Sequence, residues 1–179
     1  APREIAYLVD DCDARIVVAD AMLGESAAAA AQAVTRAIRW LSWDGSIPGH
    51  EAIEPLLACA SALPHEHEPP GALMVYTSGT TGAPKGVIRP LPPPDFRGTP
   101  AFAADLHALF DLAGSDRRYL STAPLYHAAP LRCALAVTAG GGTVHVMDRF
   151  DAGRALDLLE AEAITHSQWV PAMFQRIRE

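Results

Sequence analysis

The sequence predicts an α/β fold in which strands and helices alternate and form a largely parallel sheet covered by helices on both faces. The first observation behind this prediction is the alternation itself, because short runs rich in Val, Ile, Tyr and Trp recur between longer segments rich in Ala and Leu. The second is the nature of the connections, since parallel strands need a crossover that a helix commonly supplies. With 50% hydrophobic and 20% charged residues, the composition is that of an ordinary globular domain.

The first half of the chain contains three predicted helices and three predicted strands. The first helix begins at Pro2, where proline suits the first turn, and it places Ile5, Leu8 and Val9 on one face. The second helix is rich in alanine, which has the highest helix propensity. In order, the predicted elements are a helix from Pro2, a strand at 15–20, a helix at 22–37, a strand at 38–43, a helix at 50–60 and a buried strand at 72–77.

The second half of the chain follows a proline cluster at 90–94, which is predicted to be a surface loop because it suits neither a helix nor a central strand. Gly140, Gly141 and Gly142 lack the third glycine of a dinucleotide-binding fingerprint, and we interpret them as a helix end that turns into a strand. The predicted elements are a short strand at 87–89, a helix at 100–113, a strand at 119–124, a helix at 129–138, a strand at 143–147, a helix at 152–162, a strand at 165–170 and a final helix from Pro171.

Charge and cysteine usage narrow the possible partners. The formal net charge of −7 has the wrong sign for neutralising phosphates along a nucleic acid, so no nucleic-acid partner is expected. Cys12, Cys59 and Cys133 are far apart and form no CxxC pair, which predicts neither a zinc site nor a disulfide framework and favours the cytoplasm. No apolar run approaches the ~20 residues of a membrane helix, so no transmembrane segment is expected.

The sequence pattern at both ends predicts that the chain is cut from a longer protein. The sequence opens directly on a helical pattern and stops inside another at 174–179, with no glycine or proline stop signal. We therefore expect residues 1–179 to be a part of a longer protein, truncated at both ends.

The segment after the buried strand at 72–77 has the composition of a polyphosphate site. It reads SGTTGAPKG, and its glycines allow a close backbone approach to a ligand and positive φ. Hydroxyl groups act as hydrogen-bond donors and a lysine supplies a cation for phosphate oxygens. The predicted phosphate loop spans residues 77–86, with these proposed binding residues: Thr77, Ser78, Gly79, Thr80, Thr81, Gly82, Lys85 and Gly86.

Two features separate this loop from other phosphate motifs and draw attention to its lysine. The P-loop pattern GxxxxGK[ST] needs glycine before the lysine and serine or threonine after it, whereas Pro84 and Gly86 flank Lys85. Lys85 is also the one lysine among 14 basic residues, the other 13 being arginine. A compact ammonium differs chemically from a guanidinium fork, so a required lysine explains the exception.

Four segments resemble the adenylate-forming (ANL) superfamily, and specifically its AMP-binding acyl-CoA synthetase branch. The phosphate-loop signature is similar to YTSGTTGAPKG, and a Pro-Leu-x-His segment is similar to STAPLYHAAP. The segments PREIAYLVDDCDARIVVAD and THSQWVPAMFQRI also resemble this family, so the similarity covers nearly the whole chain. It implies that the chain is part of the large N-terminal, AMP-binding domain.

The resemblance implies a two-step reaction with ATP, magnesium and coenzyme A. A carboxylic acid, fatty or aryl, is activated to an acyl-adenylate with loss of pyrophosphate, and a thiol then takes the acyl group. By this resemblance Lys85 and Thr80 act in catalysis, Thr80 and Thr81 lie near the metal, and His127 lies beside the acyl pocket. The family's later Tyr-Gly-x-Thr-Glu segment, ribose-binding aspartate and second lysine have no match here, so we expect the fragment to be inactive without the remainder of the parent enzyme.

Two alternatives remain open on the sequence. The first is an adenylation domain that loads the thiol of a carrier protein, and the second is a catalytically incomplete nucleotide-binding module. No acidic residue near PLYH could pair with an α-amino group, which favours fatty or aryl acids over amino acids. Two further patterns are interpreted structurally: His65 and His67 as part of a polar linker, and Trp169 and Met173 as core residues.

Overall fold

The computed structural model describes residues 1–61, 71–77, 83–93, 95–96 and 98–178. These residues divide into two compact units, Ala1–Phe96 and Arg97–Glu179.

The first unit contains a parallel three-stranded sheet and an antiparallel hairpin. The parallel sheet has the order β1-β2-β3 and the hairpin pairs β4 with β5. The elements are α1 (Pro2–Asp11), β1 (Ile16–Asp20), a 3-10 helix (Ala21–Leu23), α2 (Gly24–Ala33), β2 (Arg39–Trp43), β3 (Glu51–Ala52), α3 (Ile53–Cys59), β4 (Val75–Thr77) and β5 (Lys85–Val87).

Helix α1 packs on the parallel sheet of the first unit through its apolar face. Ala6 and Val9 are buried in one cluster with Val34, and Val17 of β1 and Trp40 of β2 pack against that cluster. Arg36 holds the carboxyl end of the helix, because its Nη2 donates to the Val9 carbonyl oxygen at 2.9 Å. Helix α1 is thus fixed to the body of the unit by both apolar and polar contacts.

Several boundaries in the first unit differ from the sequence prediction. The strand predicted as buried over 72–77 is β4, which spans only Val75–Thr77 and contains no buried residue. The helix predicted at 22–37 begins as a 3-10 turn, because the Asp20 side chain accepts from the Met22 amide at 2.8 Å, and the α-helix ends at Ala33. The helix predicted at 50–60 is preceded by the short strand β3. The strand predicted at 87–89 is β5, which begins at Lys85 and runs antiparallel to β4, since so short a connection permits no parallel crossover.

The second unit contains a parallel three-stranded sheet of order β7-β6-β8. Strand β6 is central and pairs with both neighbours in parallel, as expected for strands joined through helices. The elements are α4 (Ala101–Phe110), β6 (Arg118–Ser121), α5 (Ala128–Ala139), β7 (Thr143–Val146), α6 (Ala152–Ala161), β8 (His166–Gln168) and α7 (Pro171–Arg178).

Consecutive residues of β6 show that both faces of this sheet are covered. Tyr119, 2% exposed, belongs to a core with residues of α4 and α5. Leu120 is fully buried in a second core with Met147 and with Ala155 of α6. Because neighbouring side chains of a strand point to opposite faces, the two cores lie on opposite sides of the sheet. The predicted α/β class, with parallel strands between helical layers, is confirmed.

The predicted turn at Gly140, Gly141 and Gly142 is also confirmed, between the end of α5 and the start of β7. Gly141 has φ of +85°, a conformation that side chains with a Cβ rarely adopt. A Cβ at Gly140 would lie 2.9 Å from the Ala113 Cα atom, and one at Gly142 would lie 2.7 Å from the Arg117 carbonyl oxygen. The three glycines are therefore needed for two different reasons, backbone conformation and close packing.

No helix within the described ranges is long and apolar enough to cross a membrane.

Candidate functional site

The phosphate loop begins and ends on the β4–β5 hairpin of the first unit. Thr77 is the last residue of β4, Lys85 is the first of β5, and the two are paired across the ladder. The Thr77 hydroxyl is directed to the Lys85 carbonyl oxygen at 3.4 Å. The hairpin therefore brings two predicted binding residues side by side, although they are eight positions apart in sequence.

Lys85 presents a free cation at this hairpin. Its side chain is exposed, and none of the ion pairs among the described residues includes it. An ammonium group with no carboxylate partner is available for an anionic ligand.

Close packing is the reason that position 86 is a glycine. It lies in β5 and is not among the described glycines with positive φ, so Gly86 does not adopt the positive φ that the sequence analysis allowed for it. A Cβ at this position would collide with the Met74 Cε atom and lie 3.2 Å from the Tyr76 ring. Glycine thus lets these two side chains lie across the hairpin next to the lysine.

Helix α1 contacts both ends of the phosphate loop. The Tyr76 hydroxyl, directly before Thr77, donates to Asp11 Oδ2 at 2.6 Å. The Tyr7 hydroxyl donates to the carbonyl oxygen of Pro84, directly before Lys85, at 2.9 Å. The hydrogen bond to Asp11 raises the pKa of Tyr76 well above its usual range, so the phenol remains a donor at neutral pH.

Sequence reasoning missed these contacts of α1. It assigned the helix only an apolar face, whereas Tyr7 and Asp11 lie four residues apart and so share another face of the helix. The four-residue spacing of Tyr7 and Asp11 was the sequence signal that could have revealed this polar face. The partners, Tyr76 and Pro84, are 65 and 77 positions away from them along the chain, which no local pattern reveals.

His127 lies in the second unit, at the amino end of α5. It is the N-cap residue, its amide donates to the Pro124 carbonyl oxygen at 3.1 Å, and its side chain makes no capping hydrogen bond. The imidazole is exposed and stacks at a tilt on Tyr126, with ring centroids 4.5 Å apart. The turn after β6 therefore presents the ring to solvent beyond the carboxyl end of a parallel strand, where α/β proteins commonly bind ligands.

The carboxyl ends of β6 and β8 are joined by a buried hydroxyl. Thr122, 1% exposed, donates to the Gln168 carbonyl oxygen at 2.8 Å, and its Oγ1 lies 3.4 Å from Met173 Sδ. Ser121, which is fully buried, donates to the Ala123 carbonyl oxygen at 3.0 Å. These bonds fix the start of the segment that carries His127.

A cavity of about 460 Å³ opens in the second unit between α4, α5 and β8. Its size is within the ~300–1,000 Å³ that small-molecule sites commonly have. Burial raises the pKa of the Cys133 thiol and so favours the neutral form of this group in the cavity wall. The residues that form its walls include Leu106, Phe110, Tyr119, Ala129, Cys133 and Trp169.

Trp169 has a second role besides the core packing that the sequence predicted. It packs in the core around Leu120 and also lines the cavity. Its ring stands edge-to-face against Phe150, with centroids 5.7 Å apart, which holds it in one orientation. The interpretation of Trp169 as a core residue is therefore correct but incomplete, and His127, two residues before Ala129, is not itself among the wall residues.

The remaining predicted site residues lie outside the described residues. They are Ser78, Gly79, Thr80, Thr81 and Gly82, together with the histidines of the predicted linker, His65 and His67. Their roles stay predictions.

A parallel α/β fold with a Ser/Thr/Gly-rich segment that leads to an exposed lysine has the features of a nucleotide-binding enzyme. The chain belongs to the AMP-binding enzyme family, whose model matches residues 1–179.

Individual relatives agree with this assignment. The chain is 39% identical over 107 residues to feruloyl-CoA synthase of Amycolatopsis sp., an alignment that covers 59% of the chain and 20% of that protein. It is 36% identical over 174 residues to 4-chlorobenzoate–CoA ligase of Pseudomonas sp. (strain CBS-3), covering 92% of the chain and 30% of the relative. The chain thus spans between a fifth and a third of the length of these two relatives.

A solved structure shows the same fold. The inhibitor-bound N-terminal domain of FACL13 from Mycobacterium tuberculosis superposes with a TM-score of 0.77 and 25% identity, covering the whole of this chain and 43% of that one.

Proposed function

We propose that the full-length protein containing this chain is an AMP-forming acid–thiol ligase. It activates a carboxylic acid with ATP and transfers the acyl group to coenzyme A. The observation that carries the proposal is that Lys85, beside Thr77 on the hairpin of an AMP-binding family chain, is exposed and has no ion-pair partner among the described residues. Two relatives that bear the names of CoA synthase and CoA ligase support the choice of reaction.

The described part of the phosphate loop fits a polyphosphate ligand. It places the exposed ammonium of Lys85, which has no ion-pair partner among the described residues, beside Thr77 on the adjacent strand, whose hydroxyl is only weakly held by the Lys85 carbonyl oxygen at 3.4 Å. In the first half-reaction a carboxylate oxygen attacks the α-phosphorus, the bond to the bridging oxygen breaks, and that oxygen leaves with pyrophosphate. Lys85 opposes the negative charge that builds on the departing group. Ser78, Thr80 and Thr81 add hydroxyls to the same oxygens.

A magnesium ion, when bound, neutralises phosphate charge in this class of reaction. Thr80 and Thr81 are the hydroxyls that we propose near the ion.

The cavity of the second unit is proposed to hold the acyl part of the acid. Its aromatic walls, formed in part by Phe110, Tyr119 and Trp169, suit an aryl group, and flat rings pack well against aromatic side chains. We propose that His127, at the start of the helix that lines this cavity, lies near the carboxylate. We also propose a cytoplasmic location, where free thiols such as Cys133 stay reduced.

The proposal is tested with the full-length enzyme by acid-dependent exchange of radiolabelled pyrophosphate into ATP. Aryl and fatty acids are expected to support exchange, and addition of coenzyme A is expected to give the thioester. If no carboxylic acid supports exchange, the chain belongs to a nucleotide-binding module without this chemistry. If exchange occurs but the acyl group passes only to a carrier-protein thiol, the acceptor is wrong and the activation step stands.

Filling the cavity is expected to weaken binding of the acid selectively. Ala129→Phe places a ring in the cavity and should raise the KM for an aryl acid by at least roughly tenfold, since apolar pockets discriminate steeply on size. The KM for ATP should stay unchanged. Ala161→Phe, at the exposed end of α6, is the matched control and should change neither value. Equal KM values for the acid in both variants would contradict the assignment of the cavity.

A further inference from the structure

Helix α1 lies in a position to control the geometry of the phosphate loop. Its two hydrogen bonds to the hairpin are placed at the residue before the loop begins and at the residue before Lys85. Both are made by side chains of one helix face, at Tyr7 and Asp11. Between these two bonds lie all the proposed hydroxyl ligands of the loop.

The bond at the amino end of the loop is short and charge-assisted. The Tyr76 hydroxyl approaches Asp11 Oδ2 to 2.6 Å, a length typical of a hydroxyl that donates to a carboxylate. Tyr76 also packs over Gly86, so the same ring contacts the strand that carries the lysine. Its position therefore influences both strands of the hairpin.

The bond at the carboxyl end of the loop fixes a peptide plane. The Pro84 carbonyl oxygen accepts from Tyr7 at 2.9 Å, and this carbonyl shares its plane with the amide nitrogen of Lys85. The pyrrolidine ring of Pro84 also fixes the φ angle of this residue near −65°, which restricts the backbone rotation just before the carbonyl group. Orienting this one carbonyl thus orients the backbone from which the lysine side chain extends.

The helix can hold the loop because it is itself held. Ala6 and Val9 are buried in the core of the first unit, and Arg36 pairs with Asp10 at 3.2 Å while it also donates to the Val9 carbonyl oxygen. Because the helix is fixed to the core, its hydrogen bonds also fix the hairpin relative to the core. The same hydrogen bonds from a frayed helix would not fix the hairpin.

We propose that Tyr7, Asp11 and Tyr76 are positioning residues that hold the backbone of Thr77 and Lys85 in place for ATP. This inference rests on the proposed function and extends it to a helix far from the loop in sequence. None of the three touches the reacting atoms in this proposal. Each acts through the backbone at Thr77 or Lys85, so its removal reduces the fraction of molecules in which these two hairpin residues are placed to bind ATP.

The test uses the full-length enzyme and the KM for ATP, measured at saturating acid. Tyr7→Phe and Tyr76→Phe each remove one hydroxyl and keep the ring, and each should raise the KM for ATP by roughly two- to tenfold, the range expected for one hydrogen bond. The KM for the acid should not change. Thermal protection by ATP should weaken in parallel, and this readout does not require the reaction to occur.

A double-mutant cycle examines the Tyr76–Asp11 pair. Asp11→Ala should match Tyr76→Phe, and the double variant should be no worse than either single variant. Asp11→Asn keeps an acceptor oxygen and should restore part of the ATP affinity.

Arg3→Ala is the matched control. Arg3 is an exposed residue of the same helix with no ion pair among the described residues, so its replacement should leave both the KM for ATP and the thermal protection by ATP unchanged.

Two outcomes would overturn the inference. The first is an unchanged KM for ATP and unchanged protection by ATP in both tyrosine variants. The second is a parallel loss of acid binding, ATP binding and melting temperature, which would show a structural role only. If ATP protects the enzyme in a Tyr76-dependent manner but no carboxylic acid supports pyrophosphate exchange, the proposed function is refuted and this inference is supported.

Discussion

Replacement of Lys85 by alanine in the full-length enzyme is expected to slow formation of the acyl-adenylate by roughly 10²-fold, a size typical of losing one electrostatic donor at a developing charge. The physical reason is that Lys85 is an exposed cation with no described ion-pair partner, so its charge is free to oppose that of the leaving pyrophosphate. Pyrophosphate exchange measures this step directly. Lys85→Arg should restore activity only in part, because a planar guanidinium places its charge differently.

The second half-reaction supplies the internal control for Lys85. Thioester formation from a preformed acyl-adenylate should be little affected by Lys85→Ala, since pyrophosphate has already left. Arg89→Ala removes an exposed cation four residues further along and should have little effect on either step. Equal slowing of both half-reactions, or a fall in melting temperature large enough to account for the loss, would assign Lys85 to the fold instead of the phosphates.

Replacement of Gly142 by alanine is expected to lower the free energy of unfolding by about 1–3 kcal/mol, the usual cost of overpacking a closed site. The added Cβ would lie 2.7 Å from the Arg117 carbonyl oxygen and 2.7 Å from Val137 Cγ1. That carbonyl cannot move freely, because it accepts from the Thr143 amide at 2.8 Å where β6 and β7 begin to pair. Urea denaturation of the wild-type and variant full-length proteins measures the change.

Gly153→Ala is the control of opposite sign. Gly153 lies in the first turn of α6, and a Cβ there would meet only Asp151 Oδ1, at an ordinary 3.6 Å. Alanine is the better helix former by up to ~1 kcal/mol, so this variant should be as stable as the wild type or more stable. Unchanged stability of Gly142→Ala would mean that the tight contact is relieved by a shift of the backbone, and equal losses in both variants would mean that this contact is not the cause.

The order and type of most elements could be predicted because they depend on local pattern. The apolar spacing at Ile5, Leu8 and Val9 predicted α1, and the glycine run predicted the turn between α5 and β7. The chemistry of the phosphate loop was equally local, since its hydroxyls, glycines and lysine are consecutive. A family signature of this kind can be recognised without knowing how the chain folds.

Element ends were harder to predict because single side chains decide them. Asp20 caps a 3-10 turn and so delays α2. Glu51 and Ala52 directly precede α3, but parallel pairing with β2 makes these two residues a strand. Such choices depend on a partner that only the fold provides.

What the sequence by itself determined, then, is the α/β class and the alternation of elements, and it also predicted which residues hold phosphate. Only the tertiary structure decided that Lys85 pairs with Thr77 on an antiparallel hairpin, and that Tyr7 and Asp11 hold its two ends. It also decided that Tyr119 and Trp169 share one cavity. The physical reason is range: helix and turn signals act over a few residues, whereas these contacts join side chains from distant segments that meet only when the core forms.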